Sequence, residues 1–390
     1  MKETILAINP GSASMKCALF REGTELARAH FEIEDSRHVV ALSSPAGEHR
    51  RELTAGIPAD ATGYFLAFAA SERIIASPAD IRAVGVRVVA PGNYFLRNRI
   101  IDDACIAQLK STQRETPLHT GPALAEIENI QSAFAHTPLA AISDSAFYAN
   151  LPARARHYAI PKSDAQRFGI YRFGYHGISA QSIIRKLSAQ GELPHNIIIC
   201  HLGSGSSIIA VKDGTPLDVS MGFTPLEGAV MGTRVGAIDA GAVLYLAQKL
   251  ETDLDELKTY FNSRCGLLGV SGISNDVRVL LKREEAGDAD AALALELFVY
   301  QIKKHIGAYA AALNGVDLLV FSATIGERSH IMRGRICREM ESFGLAIDGE
   351  KNLATASADA LINAASSAAK IAVIATDELG EIARETAALL

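Results

Sequence analysis

The 390-residue chain is 48% hydrophobic and 21% charged, the balance of a soluble globular protein, and at about 100–200 residues per domain its length predicts two or three domains. This excludes a disordered chain, which would be poorer in apolar residues and richer in one sign of charge. With 38 Lys and Arg against 44 Asp and Glu the net charge is −6, so no global basic surface advertises nucleic acid.

Residues 4–8 (TILAI) form an apolar run that stops at Asn9-Pro10-Gly11-Ser12, and a second run spans Lys16 to Phe20, a strand–turn–strand pattern. A helix is expected over 60–75, a strand over Ile81–Val89, helices over 103–110 and 119–130, and a short buried strand over Leu139–Ile142. Residues 197–212 (IIICHLGSGSSIIAVK) repeat the opening pattern: His201-Leu202-Gly203-Ser204-Gly205-Ser206 aligns with Asn9-Pro10-Gly11-Ser12-Ala13-Ser14, 192 positions earlier. That period is too long for a solenoid unit and predicts a duplicated domain. There follow helices over 237–250 and 289–313, an apolar strand over 317–322, a loop at 323–328, a helix over 329–343, a last strand at Ile371–Ile374 and a closing helix over 378–389. The alternation predicts an α/β architecture with partly parallel sheets.

Five scattered cysteines without a CxxC pair argue against zinc-ribbon and thioredoxin chemistry and predict reduced, mostly buried thiols in a cytoplasmic protein. The N-terminal residues read as a strand rather than a signal peptide, and no window of about 20 residues is apolar enough to span a bilayer.

The two Gly/Ser turns carry the first chemical signal, because backbone N–H groups and Ser hydroxyls in such turns bind anions, with Lys16 as an added point charge. Arg87 stands inside the apolar run 84–89, which fits either a polar cleft or a solvated edge strand. Arg234 ends a Gly- and Pro-containing segment (221–234) that reads as an ordered loop delivering a guanidinium for carboxylate or phosphate. Asp144, just past a strand, fits a metal or catalytic ligand or a turn former. His176 lies in a Gly- and aromatic-rich loop, and Arg328, Arg333, Arg335 and Arg338 read as one solvated helix face.

Taken together, RFGYHG (172–177), HLGSGSSI (201–208), SMGFTPLEGAVMGTRVGAID (220–239), GVSGISNDVR (269–278) and IARET (382–386) resemble the acetate kinases of the acetate/propionate kinase family, with similarity from Ile5 to Thr386. The resemblance implies the actin/Hsp70/sugar-kinase superfold, an α/β, duplicated ribonuclease-H-like two-domain fold with a nucleotide in a central cleft, and a homodimer. Combined with the repeat, it puts an acyl-substrate and phosphate domain at 1–147 plus a returning helix 379–390, and a nucleotide-binding domain at 148–378. The implied activity is reversible Mg²⁺- or Mn²⁺-dependent phosphoryl transfer between ATP and acetate, giving ADP and acetyl phosphate.

Carried onto this sequence, the family's roles make Asp144, His176 and Arg234 catalytic. Arg87 would bind the acid, and Val89, Leu118, Tyr175 and Pro225 would line a small methyl pocket. Ser12, Ser14 and Lys16, with His201, Leu202, Gly203, Ser204 and Gly205, would hold phosphates, while Asn9 and Glu378 would serve the metal. Asp276, Val277 and Arg278, with Thr324, Ile325, Gly326, Glu327 and Arg328, would hold the adenosine. The sequence departs from the family at Pro10, Val86, Ala90 and Leu379, at Tyr175 where Phe is usual, and at Thr324 and Arg328 where Gly and Asn are usual. Tyr175 needs a hydrogen-bond partner if buried, or favours a more polar acid. Thr324 and Arg328 leave open a donor such as pyrophosphate. The alternatives are a propionate or butyrate kinase, and a nucleotide-binding homologue without catalysis.

Overall fold

The computed structural model describes residues 4–390 apart from 12, 13, 35, 36, 55, 59, 192 and 358, and omits the side chains of 117–119. Of the site residues expected from the sequence, Ser12 lies outside the described residues, and Leu118 is described only as part of the helix Pro117–Ala133.

The chain forms two compact units. The first runs through Ala149 and takes in Gly177–Ser182 and Asp377–Leu390; the second comprises Asn150–His176 and Ile183–Thr376.

The first unit is built on eight strands: β1 (Thr4–Pro10), β2 (Ser14–Arg21), β3 (Thr24–Glu34), β4 (Arg37–Ser44), β5 (Gly47–Glu52), β6 (Ile81–Val88), β7 (Arg99–Ile100) and β8 (Leu139–Ser143). Their order is β5-β4-β3-β2-β1-β6-β8-β7, antiparallel from β5 to β1, parallel from β1 through β6 to β8, and antiparallel again at β7. Alternate side chains serve two faces, as a period of two dictates: Leu6, Ile8, Val84 and Val86 pack with Phe65 and Ile127, while Ile5, Ala7 and Ile142 meet Ile382 of the closing helix Glu378–Ala388. Gly85 makes that docking possible, since a Cβ there would collide with Thr386 Oγ1 and come within 2.9 Å of Ile382 Cγ2.

The second unit has β9 (Asn196–Leu202), β10 (Ser206–Lys212), β11 (Thr215–Val219), β12 (Leu318–Ser322), β13 (Ala360–Leu361) and β14 (Lys370–Val373), in the order β11-β10-β9-β12-β14-β13. The 25-residue helix Ala289–Leu313 lays Phe298, Ile302 and Ile306 against Ile198, Cys200 and Phe321. The duplication is exact in register: β9 and the start of β10 fall 192 residues after β1 and the start of β2. Each sheet sets two parallel neighbours beside an antiparallel three-strand ladder, β3-β2-β1-β6-β8 in one and β11-β10-β9-β12-β14 in the other, as the ribonuclease-H-like fold requires.

Several expectations are corrected. Residues 323–328 form a short helix, not a loop: Ala323 takes a positive φ of 62° that turns the chain out of β12, and Glu327 Oε1 accepts the Ala323 N–H at 2.9 Å. The next helix ends at Cys337 rather than 343, because Arg338 is extended and Glu339 has φ 59°. Its arginines share no solvated face, since Arg333 is 0% exposed and Arg335 pairs with Glu284 at 2.6 Å. Arg87 does not lie on an edge strand, since β6 runs between β1 and β8. Of the five free cysteines, Cys17, Cys105, Cys200 and Cys337 are buried, as expected.

Candidate functional site

In the first unit the candidate residues gather where parallel strands end, the usual location of ligand sites in α/β sheets. Asn9 stands near the end of β1, Arg87 near the end of β6, Asp144 one residue beyond β8, and Glu378 at the start of the closing helix. Arg87 Nη2 donates to Asp144 Oδ2 at 2.6 Å and Nη1 to Asn9 Oδ1 at 3.0 Å. Asn9 Nδ2 donates to Glu378 Oε2 at 2.6 Å, and the Ser179 hydroxyl donates to Glu378 Oε1. Burial opposes the Arg87 charge, but Asp144 and then Glu378 outweigh it and hold its pKa above the ordinary value. Arg87 Nε is buried without a hydrogen-bond partner, a donor that an anion's oxygen would satisfy.

The backbone fixes this set. Asp144 N–H donates to Val88 O at 3.0 Å, and Gly177 N–H donates to Asp144 O at 3.0 Å, where any Cβ on residue 177 would collide with that carbonyl. Val89 is buried and its carbonyl accepts from Thr120 Oγ1. Lys16 stands opposite Asn9 in the β1–β2 ladder, and Ser14 opens β2, its carbonyl accepting the Gly11 N–H at 2.8 Å.

In the second unit His176, His201, Gly205 and Arg234 come together. The two imidazoles stack with centroids 4.4 Å apart, and His176 Nδ1 shares a 2.8 Å hydrogen bond with Ser207 Oγ. A Cβ added at Gly205 would sit 3.3 Å from both Arg234 Nη1 and His176 Cε1, so glycine opens a recess onto both. Leu202 is buried at the end of β9, while Gly203 and Ser204 make the turn, with Gly203 N–H donating to Gly205 O at 3.0 Å. Arg234 is buried, and its Nη1 donates to Pro225 O at 3.2 Å.

A half-buried clamp shapes the segment before Arg234. Arg172 Nη1 donates to the carbonyls of Val219, Ser220 and Met221 at 3.0–3.2 Å, and its Nη2 to Glu227 Oε1 at 2.7 Å. Tyr158 donates to Glu227 Oε2 at 2.5 Å and accepts the Phe223 N–H at 2.8 Å. Tyr175 donates its proton to Phe223 O at 2.7 Å, so Phe223 is held at both backbone groups by tyrosine hydroxyls. The buried Tyr175 hydroxyl therefore has its partner within the protein.

Asp276 caps the helix Val277–Glu285 and pairs with Arg278 at 2.6 Å; Val277 is buried beneath it. Thr324 and Arg328 are exposed on the helix Ala323–Arg328, Ile325 and Glu327 are half-buried, and Gly326 packs against Phe321 and Cys200 O. Burial raises the Glu327 pKa, against its hydrogen bond from Ala323.

Sequence reasoning missed Ser179, Ser207, Tyr158 and Arg172, although Ser207 sat in the repeated turn and Ser179 three residues past His176. It also missed Ser206 and Ser322, whose hydroxyls are buried without partners at the start of β10 and the end of β12.

Residues 4–384 match the model of the acetokinase family. The acetate kinase of Heliobacterium modesticaldum is 36% identical over 395 residues, covering 99% of each chain. The crystal structure of Porphyromonas gingivalis acetate kinase superposes with a TM-score of 0.85 at 32% identity and 99% coverage of each chain, and that of a propionate kinase from Francisella tularensis with 0.88 at 32% identity over the whole of both.

Proposed function

The chain belongs to the acetokinase family, a phosphotransferase with a carboxyl group as acceptor and ATP/ADP as co-substrate, and from that premise we propose how its residues divide the work. Acetate is ionised at neutral pH, its carboxyl pKa being near the roughly 4 of ordinary side-chain carboxyls, so no strong base is needed. The obstacle is bringing one anion against another, and the remedy is positioning plus charge neutralisation.

Arg87 binds the acid's carboxylate, with Val89, Leu118, Tyr175 and Pro225 around its methyl group. Arg234 and His176 neutralise the phosphoryl group in transfer. Lys16, Ser12, Ser14 and residues 201–205 hold phosphates, and residues 276–278 with 324–328 hold the adenosine. Asp144 orients Arg87, and would help to hold the metal, rather than taking a proton. The observation that carries this reading is the partly buried Arg87–Asn9–Glu378 chain closed by Asp144 and Ser179.

The hard oxygens of Asp144, Asn9 and Glu378 fit Mg²⁺ or Mn²⁺. Among the described residues no group of three or more His, Cys, Asp or Glu forms a metal cage, which suits an ion held by one or two carboxylates plus substrate phosphates. Such an ion, held by Asn9, Glu378 and Asp144, would supply positive charge to the phosphate oxygens.

We read acetate as the preferred acid, with activity on propionate expected, because one methylene is worth only about 1–3 kcal/mol of discrimination. ATP is the donor, the co-substrate of the family. We also read the protein as a cytoplasmic homodimer; the helix Ala240–Leu250 buries none of its residues and exposes Leu244 and Tyr245, as a surface for a second copy would.

Trapping acyl phosphate as the hydroxamate tests the reading, with ATP or pyrophosphate offered against C2–C4 acids. Product with ATP and acetate at the highest kcat/KM supports it. A preference for pyrophosphate or butyrate, or no product with any pair, overturns it.

A further inference from the structure

We propose that Arg333 is a positioning residue for the nucleotide, holding the helix Ala323–Arg328 in the place from which it meets the adenosine; this rests on the reading of residues 324–328 as the adenosine segment. Arg333 is fully buried on the helix His330–Cys337. Its Nε donates to Asn352 Oδ1 at 2.8 Å, its Nη1 to Gly326 O at 2.9 Å and Glu327 O at 2.7 Å, and its Nη2 to Asn352 O and Thr355 O, both at 2.8 Å.

Every one of these acceptors is a carbonyl oxygen, not a carboxylate. A buried guanidinium without an acidic partner is costly. Here the compensation comes from two helix ends, because Gly326 and Glu327 close the helix Ala323–Arg328, and Asn352 and Thr355 close the helix Gly349–Ala354. Carbonyls at a helix C-terminus carry partial negative charge and favour a cation. Asn352 is itself fixed by donating Nδ2 to His330 O at 2.8 Å.

The planar fork sets geometry as well as charge. Two of its acceptors are the backbone carbonyls of proposed nucleoside residues, so a shift of the guanidinium shifts the segment. Lys has the charge but only three donors on one atom and cannot span both helix ends. Glu327 ties the other end of the segment, and Gly326 seats it on Cys200 and Phe321. Arg333 can therefore be altered without changing any residue proposed to meet the nucleotide.

The test compares Arg333→Lys and Asn352→Ala with the parent by steady-state kinetics and by calorimetric titration with ATP in the absence of acid. Both variants should raise the KM and Kd of ATP, Arg333→Lys about tenfold or more, with the KM of acetate within about twofold of the parent. A purely structural role would lower active-site concentration and leave both KM values alone. Unchanged ATP binding in folded Arg333→Lys, or equal rises in both KM values, overturns the proposal. Should Arg333→Lys not fold, Asn352→Ala decides by the same criteria. Ile325→Ala separates the premise: if it also leaves ATP binding unchanged, the adenosine reading of 324–328 fails, whereas if it weakens ATP alone, only the role of Arg333 fails.

Discussion

Arg87→Met should damage stability and activity by separable routes. The Asp144 side chain is 0% exposed and that of Arg87 13%, with 2.6 Å between Nη2 and Oδ2. Removing the guanidinium from this buried ion pair takes away the opposite charge nearest to the Asp144 carboxylate, a loss of up to about 3–5 kcal/mol. Loss of an anion-binding donor at the reacting centre costs roughly 3 kcal/mol more in transition-state stabilisation, or about 150-fold in rate. Adding Asp144→Asn removes the buried carboxylate charge, so the double variant should regain more than half of the lost stability while its activity stays down. The chain has no tryptophan, so urea unfolding is best followed by far-ultraviolet circular dichroism beside kcat/KM for acetate. An Arg87→Met protein as stable as the parent, or a double variant with restored turnover, would refute the reasoning.

Tyr175→Phe deletes only the hydroxyl that holds Phe223 O. At about 1 kcal/mol for such a bond, the propionate-to-acetate ratio of kcat/KM should rise about threefold to tenfold as the pocket segment loosens, with the KM of ATP unchanged; competition assays read this ratio. Gly205→Ala puts a methyl group 3.3 Å from Arg234 Nη1 and His176 Cε1, and kcat should fall about 100-fold or more with an unaltered melting curve. Glu126 is buried and accepts from Thr62 Oγ1 at 2.5 Å; burial raises its pKa, the Asp60 charge adds to the rise, and the Thr62 bond opposes it. A raised folded-state pKa contributes stability below the unfolded pKa and loses it as pH rises through the folded value. Glu126→Gln should thus raise the melting temperature at neutral pH and give no gain below about pH 4.

The two hairpins were legible because strand, Gly/Ser turn and strand recur at one spacing, and burial in the sheet demands the same apolar pattern each time. Arg87 was legible as a misfit in an apolar strand, but not its place between β1 and β8, which depends on crossovers. Strand Gly47–Glu52 went unread because it is exposed throughout and rich in charge, leaving no apolar period; Thr24–Glu34 and Arg37–Ser44 do bury alternate residues (Ala27, Ala29 and Phe31; Val40 and Leu42), but those faces are short and interleaved with charged and polar residues. Arg333 was misread because charge on a helix normally marks solvent, whereas here the partners are backbone carbonyls, which carry no sequence signature. Ser179 escaped for a related reason: its partner, Glu378, lies 199 residues away.

The central claim is that phosphoryl passes directly from nucleotide to acid, with positioned cations in place of a protein nucleophile. ATP made chiral at the γ-phosphorus by oxygen isotopes tests this most directly, through the configuration of the acetyl phosphate formed. The account predicts inversion, the signature of one in-line transfer. Net retention would mean two transfers through a phosphorylated residue and would contradict it.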